Sequence, residues 1–226
     1  MAEKFYALSV DAAQFASGVK AASVFLAKHS NISTPDELKY LCLAQHKPSQ
    51  VLSIIATDAK DLYRKRIQLN SDSWQNLPMM RTVDGLADYG FLYIPPNDVA
   101  QLIKMFPRKP VGAVVFSIKE EWEDRKLYYN VDVGISGCQT KMQFRTEQLN
   151  YPDMRRLFGH FDESSTVNLD SMYFAPSSFA KIAKAFAESE YVKLEVEGKE
   201  PPRMFKFEDG ERAVTVLTMG MRVEEQ

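Results

Sequence analysis

Three lysines, Lys20, Lys104 and Lys184, hold the same place in three copies of one short pattern. The copies read Phe15-Ala16-Ser17-Gly18-Val19-Lys20, Val99-Ala100-Gln101-Leu102-Ile103-Lys104 and Phe179-Ala180-Lys181-Ile182-Ala183-Lys184, which spaces the lysines 84 and 80 residues apart. An ammonium group displayed at a repeated position meets phosphate as a point charge and reads no base sequence. Such repetition suits a long, regular, negative partner, and double-stranded nucleic acid is the candidate. One lysine opposite an apolar stripe is no more than a solvated face. Three at one repeat position, on stretches poor in acids, carry more weight. Lys28, Arg108, Lys109 and Lys181 lie on or beside the same stretches and complete the candidate DNA-facing set.

Catalytic chemistry finds no comparable support. His29, His46 and His160 are scattered, and no Gly-x-Ser-x-Gly elbow or Gly-rich phosphate loop precedes a helix. A protein without enzymatic activity and without a cofactor is expected. Asp58, Asp61 and Asp153 admit two readings, a metal cluster or ordinary turn and surface charges. The second is preferred, with Asp153 in a turn and Asp61 a surface charge at a strand start. Cys42 and Cys138 read as free buried thiols of a reducing cytoplasm, since two cysteines make no disulfide framework and the histidines show no ligand spacing with them.

The elements that must position these groups follow from composition and period. The chain has 226 residues, 45% hydrophobic and 26% charged, an ordinary globular balance with material for a sizeable core. No apolar run approaches the roughly 20 residues of a membrane span. Met-Ala-Glu-Lys leads straight into strand-like residues, so no leader is expected and the reading is cytoplasmic. The net charge of −2 argues against nucleic acid only if charge is evenly spread. Instead the acids gather at 119–124, at 195–200 and in the Glu-Glu-Gln tail, away from the lysine-bearing stretches.

Hydrophobic period predicts three units of one order, β-α-β-β-β. The first has a strand at Phe5–Val10, a helix over Ala12–Lys28 capped by Asp11, and strands at Leu38–Ala44, Val51–Thr57 and Asp61–Leu69. The second has Phe91–Ile94, a helix over 98–106 capped by Asn97 or Asp98, then Val111–Ile118, Lys126–Val133 and Thr140–Arg145. The third has Thr166–Phe174, a helix over 178–187 capped by Ser177 or Ser178, then 191–196, 203–208 and 213–219. Val99, Leu102, Ile103 and Phe106 form one apolar stripe, and Phe179, Ile182, Ala183 and Phe186 another. Each repeated lysine follows the first stripe residue by five positions, about 140° round the helix, and so points away from the sheet.

In four places the chain resembles the bacterial β sliding clamp family, the processivity subunit of the replicative polymerase. Ile55-Ala56-Thr57-Asp58 with Leu62 is similar to the family's Ala-Thr-Asp-Gly-His-Arg-Leu strand and turn. Asn150-Tyr151-Pro152-Asp153-Met154-Arg155-Arg156-Leu157 is similar to its Phe-Pro-Asp-Tyr-Arg-Arg-Val segment between domains. Phe91–Phe106 resembles a helix entry of the family, and Leu217-Thr218-Met219-Gly220-Met221-Arg222-Val223 resembles its C-terminal Met-Pro-Met-Arg-Leu. In this order the matches cover nearly all of residues 5–223. They correspond to the family's middle domain (1–148), a linker (149–165) and half of its third domain (166–226). Ala59-Lys60 stands where the family has Gly-His, and Gly220 where it has proline.

The resemblance implies an α+β clamp fold with helices inside and sheets outside, closed as a homo-oligomeric ring around duplex DNA. It implies no membrane association. It also implies a groove for peptides of the replicative polymerase and clamp loader, built from Thr57, Leu62, Pro152, Leu157, Leu217, Met219, Met221 and Arg222. Methionine and leucine give such a groove an adaptable apolar surface, and Arg222 can meet a carboxylate or carbonyl of the peptide. Leu217, Met219 and Met221 also fit the inward face of a strand; the Pro152-Asp153 linker element favours the groove. The family's ring has twelve helices, so three per chain imply four subunits, or three if a fourth unit is hidden in 70–90. An odd unit count leaves a sheet edge for another chain. Two alternatives stand: a clamp-fold protein that competes for clamp partners without encircling DNA, and an enzyme of unfamiliar chemistry.

Overall fold

Strict alternation marks the strand at 141–147, whereas Leu41–His46 and Val214–Met219 are buried at nearly every position. Lys141-Met142-Gln143-Phe144-Arg145-Thr146-Glu147 buries its three even positions and exposes the four odd ones, as a strand with one solvated face must. The computed structural model describes residues 4–28, 35–70, 77–78, 88–152, 175–197, 204–209 and 213–219. Within them the order is β1 (Phe5–Asp11), α1 (Ala12–Ala22), β2 (Leu41–His46), β3 (Val51–Thr57), β4 (Asp61–Gln68), β5 (Tyr89–Ile94), α2 (Pro96–Met105), β6 (Ala113–Glu123), β7 (Lys126–Ile135), β8 (Lys141–Glu147), α3 (Pro176–Ala185), β9 (Val192–Glu197), β10 (Met204–Asp209) and β11 (Val214–Met219). The fold is α+β, as expected. The strand expected at Thr166–Phe174 lies outside the described residues.

Two antiparallel sheets result, one ordered β1-β6-β7-β8 and the other β5-β2-β3-β4-β11-β10-β9. The first two units exchange their opening strands. β1 pairs with β6 of the second unit, and β5 pairs with β2 of the first. The third unit extends the larger sheet, because β11 lies against β4 with Leu217 opposite Leu62 and Thr218 opposite Asp61.

α1 sits at the centre of this arrangement, in contact with both sheets and with α2 and α3. Ala12, Phe15, Gly18, Val19 and Ala22 are its buried face. Phe15 meets Phe116 edge-on at 5.3 Å and Phe106 at 6.1 Å, which ties α1 to the smaller sheet and to the end of α2. Gly18 lets the helix approach the larger sheet closely. A Cβ there would fall 2.6 Å from Ile54 Cδ1 and 3.1 Å from Lys65 Cδ.

The helix ends correct the sequence reading. α1 stops at Ala22 rather than Lys28: the Ser23 hydroxyl donates to the Lys20 carbonyl at 2.8 Å, a turn of 3₁₀ helix covers Ser23–Phe25, and Phe25 stacks on Tyr63 at 5.3 Å. Lys28 is therefore not helical. Asp11 does cap α1, its Oδ1 accepting from the Gln14 amide at 2.8 Å. α2 and α3 have no side-chain cap and begin instead at Pro96 and Pro176, where a preset φ and a missing N–H suit the first helical position. α3 is also rotated from its expected face. Phe179 is 55% exposed and Ala183 is exposed, while Ser178, Ile182 and Phe186 are buried. Cys42 is buried as expected, but Cys138 is exposed.

Candidate nucleic-acid interface and peptide groove

Each helix packs one face on a sheet, so the opposite face is available to solvent. Lys20, Lys104 and Lys184 are all exposed, on three helices of which α1 touches the other two. α1 and α3 contain no acidic residue, and α2 contains only Asp98. Lys28, Arg108 and Lys109 are likewise exposed, in the segments after α1 and α2.

Lys181 departs from this set. Its ammonium donates to Asp58 and, at 2.8 Å, to Asp61 Oδ2, and it lies 5.7 Å from the centre of the Phe25 ring. Only 18% of its side chain is exposed. The charge is neutralised inside the protein and does not face outward with the other lysines.

Its partner corrects a second expectation. Asp61 is 1% exposed, not a surface charge. Its carboxylate accepts from Thr218 Oγ1 at 2.5 Å, Ser178 Oγ at 3.1 Å and Lys181. β4, β11 and α3 thus meet on one buried carboxylate, which explains the rotation of α3: Ser178 and Lys181 turn inward to satisfy Asp61, and Phe179 turns out. A buried charge without such partners is strongly unfavourable. Among the described residues no group of His, Cys, Asp and Glu is arranged to hold a metal ion.

The turn bearing Asp58 is held by its own side chains. Asp58 Oδ1 accepts from the amides of Lys60 (3.1 Å) and Asp61 (2.8 Å), and Thr57 Oγ1 donates to the Asp61 carbonyl at 2.9 Å. Ala59 takes φ +74, a left-handed conformation that costs an L-residue about 1–2 kcal/mol. Ala59→Gly is expected to stabilise the protein by about 0.5–1 kcal/mol after the greater freedom of glycine in the unfolded chain is subtracted. A higher urea midpoint at unchanged slope would register it.

Alkaline unfolding should report the Lys181 contact. Burial by itself lowers the Lys181 pKa, but the hydrogen bonds from Asp58 and Asp61 and their charges outweigh it, so the net direction is upward from 10.5. The unfolded chain then loses this proton first. The stabilisation is complete below pH about 10.5 and disappears as pH rises through the higher folded value. Burial also raises Tyr63, and raises Tyr129 to about 12, so their stabilisation is lost in the same direction. Urea midpoints measured from pH 8 to 11.5 should fall, and in Lys181→Met should fall less steeply.

The candidate groove residues are brought together only in part. Thr57 opposes Leu62 and Leu62 opposes Leu217, so three strands place them in one row on one face of the larger sheet. All three are buried. Met219, at the end of that row's strand, is 43% exposed. Pro152 is exposed and follows Tyr151, which is buried and stacks on Tyr93 at 5.6 Å. By strand period Tyr93 lies on the same face as Leu62, so Tyr151 brings the chain back onto that face. Leu157, Met221 and Arg222 lie outside the described residues. The sequence reading offers Ser178 only as a helix cap and gives Thr218 no contact of its own: their shared partner, Asp61, is more than 100 residues away along the chain.

No family model matches the chain, and no curated protein matches it in sequence. Solved structures do resemble it. The Helicobacter pylori beta clamp, solved bound to a DNA ligase peptide, aligns over 99% of this chain and 67% of its own, with TM-score 0.58 and 14% identity. A Caulobacter crescentus beta sliding clamp aligns over 98% of this chain and 66% of its own, with TM-score 0.59 and 11% identity. The DNA polymerase sliding clamp of Bacillus subtilis aligns over 97% and 65%, with TM-score 0.57 and 12% identity. The fold is that of the bacterial sliding clamps, and the chain spans about two thirds of their length. No helix among the described residues is long and apolar enough to cross a membrane.

Proposed function

We propose that this protein is a DNA sliding clamp, a processivity factor without enzymatic activity that encircles duplex DNA as a homo-oligomer. The observation that carries the reading is the exposure of Lys20, Lys104 and Lys184 at equivalent positions on three adjacent helices of a clamp fold. Lysines at one register position contact phosphates without reading bases, which is what a protein that must move along DNA requires. Arg108, Lys109 and Lys28 add to this face. Lys181 serves the junction of the first and third units instead.

The same reading assigns a peptide groove to the face of the larger sheet that carries Thr57, Leu62 and Leu217. Met219 and Pro152 stand at its margin, and Leu157, Met221 and Arg222 join it through the sequence resemblance. Its occupants are peptides of the replicative polymerase and clamp loader. Support comes from the cross-strand row and from the H. pylori clamp having been solved with a DNA ligase peptide.

The test is mass in solution by light scattering, with and without nicked circular DNA. An oligomer retained on circles and released when they are linearised is the expected result. A protein that ignores circular DNA yet binds polymerase peptides would overturn encirclement and leave the competing reading, occupation of clamp partners through the same groove.

A further inference from the structure

One position of β4 that faces the helices breaks the rule its neighbours follow. Tyr63, Lys65 and Ile67 share that face by strand period, and Tyr63 and Ile67 are almost wholly buried. Across the sheet Lys65 opposes Ile54 and Val214, both buried and apolar. The pattern calls for another apolar residue here. A lysine instead carries a charge to the core side of the sheet, which is costly unless the charge is met.

The structure meets it only with a hydroxyl. Lys65 Nζ donates to Ser17 Oγ of α1 at 2.6 Å, and that hydroxyl donates in turn to the Gln14 carbonyl at 3.2 Å. Among the described residues no carboxylate pairs with Lys65, whereas Lys181 has two. Burial holds the Lys65 pKa below the usual 10.5, and the charges of Glu188, Asp209 and Asp11 offset this only in part. The route to Ser17 is built into the helix. Gly18 leaves α1 notched where the stem passes, since a Cβ there would fall 3.1 Å from Lys65 Cδ.

Ser17 and Lys20 lie about 60° apart round α1, both away from its buried face of Phe15, Gly18, Val19 and Ala22. The stem therefore delivers an ammonium from beneath the helix to the side that displays Lys20. That ammonium has three donors, of which Ser17 takes one. We propose that Lys65 is a further phosphate-contacting cation of the DNA-facing surface, threaded past Gly18 to the face of α1 that carries Lys20. Lys65 has this role only if the helix face meets DNA as read above, and it lies outside the helix repeat that marks that face. Its ligand is a phosphodiester oxygen of the duplex, met as a point charge without base readout. A negative partner supplies the compensation that the fold withholds from this one lysine.

The test is a salt titration of the full chain against a short fluorescent duplex, comparing Lys65→Met, Lys65→Arg and Lys20→Met. Methionine keeps most of the stem that passes Gly18 and removes the charge. Lys65→Met should weaken binding about threefold at physiological salt, and log K against log salt should become shallower by about 0.9 for each chain engaged. Lys65→Arg should keep the slope. A residue retained for the fold alone would move the urea midpoint and not the slope. Here the midpoint of Lys65→Met should hold or rise: with its folded pKa below the unfolded one, the charged lysine favours the unfolded chain at neutral pH. Reductive methylation of the unaltered protein, read by mass spectrometry, needs no variant to fold. Saturating duplex should slow modification of Lys65 and Lys20 several-fold and leave Lys126, exposed on β7, unprotected. Lys20 protected without Lys65, or a slope changed by Lys20→Met but not by Lys65→Met, would overturn the role of Lys65 and leave the helix face standing. No change at either lysine would overturn both.

Discussion

Lys181→Ala is expected to lower the unfolding free energy by about 3 kcal/mol. Removing one member of a buried ion pair leaves the other charge uncompensated, at about 3–5 kcal/mol. The lower end applies because Lys181 keeps some solvent contact, while Asp61 has almost none. The loss should concentrate on the junction of β4, β11 and α3. Lys184→Ala, three residues on and exposed, should change stability by no more than about 0.5 kcal/mol. Chemical denaturation of the two variants side by side provides the measurement. Equal effects would mean that the Asp58–Asp61–Lys181 contact adds nothing to the folded state. Lys181→Met combined with Asp61→Asn should recover part of the loss, because the buried charge goes with its partner.

The second large effect concerns DNA. Lys20→Glu, Lys104→Glu and Lys184→Glu together should reduce retention on circular DNA by more than about tenfold at 0.15 M salt. The slope of log K against log salt should become shallower by about 2.7 for each chain engaged, 0.9 for each phosphate contact removed. Stability should scarcely change, since all three side chains are exposed. The same three substitutions should leave binding of a polymerase peptide to the proposed groove intact, because Thr57, Leu62 and Leu217 lie on strands of the larger sheet and not on the helices. Retention unaffected by the triple variant would reject the helix face as the DNA contact. A matched Lys181→Glu variant is a poor substitute, since it strikes the junction instead.

Local chemistry made most elements readable in advance. Asp11, the Pro95-Pro96 pair and the alternation of 141–147 act within a few residues, and strands and helices appear near where they point. The helix stripes were readable where packing alone decides, as with Val99 and Leu102. They misled in the third unit, where a polar demand from Asp61 overrides the apolar period and turns Phe179 out. Lys181 was misread for the same reason. Its place in the repeat matches an outward lysine's neighbourhood, and only the long-range pairing of β4 with β11 brings two carboxylates within its reach. The α1 end was missed because Ala22 to Phe25 is compatible with helix, and the stacking of Phe25 on Tyr63 is a tertiary contact. Thr57, Leu62 and Leu217 were grouped through family resemblance, and their alignment in one row depends on a register that no single strand discloses.

The pairing of β4 with β11 also has a consequence for how the protein is made. β4 ends at Gln68 and β11 begins at Val214, so 145 residues lie between them along the chain. At ~5–20 residues per second of synthesis, β4 waits roughly 7–30 s after leaving the ribosome before its neighbour exists. Throughout that interval it offers an unpaired row of amides beside a carboxylate with no ammonium to meet it. A nascent chain in this state is a template for any passing strand, so yield should depend on chaperone supply more steeply than native stability would suggest.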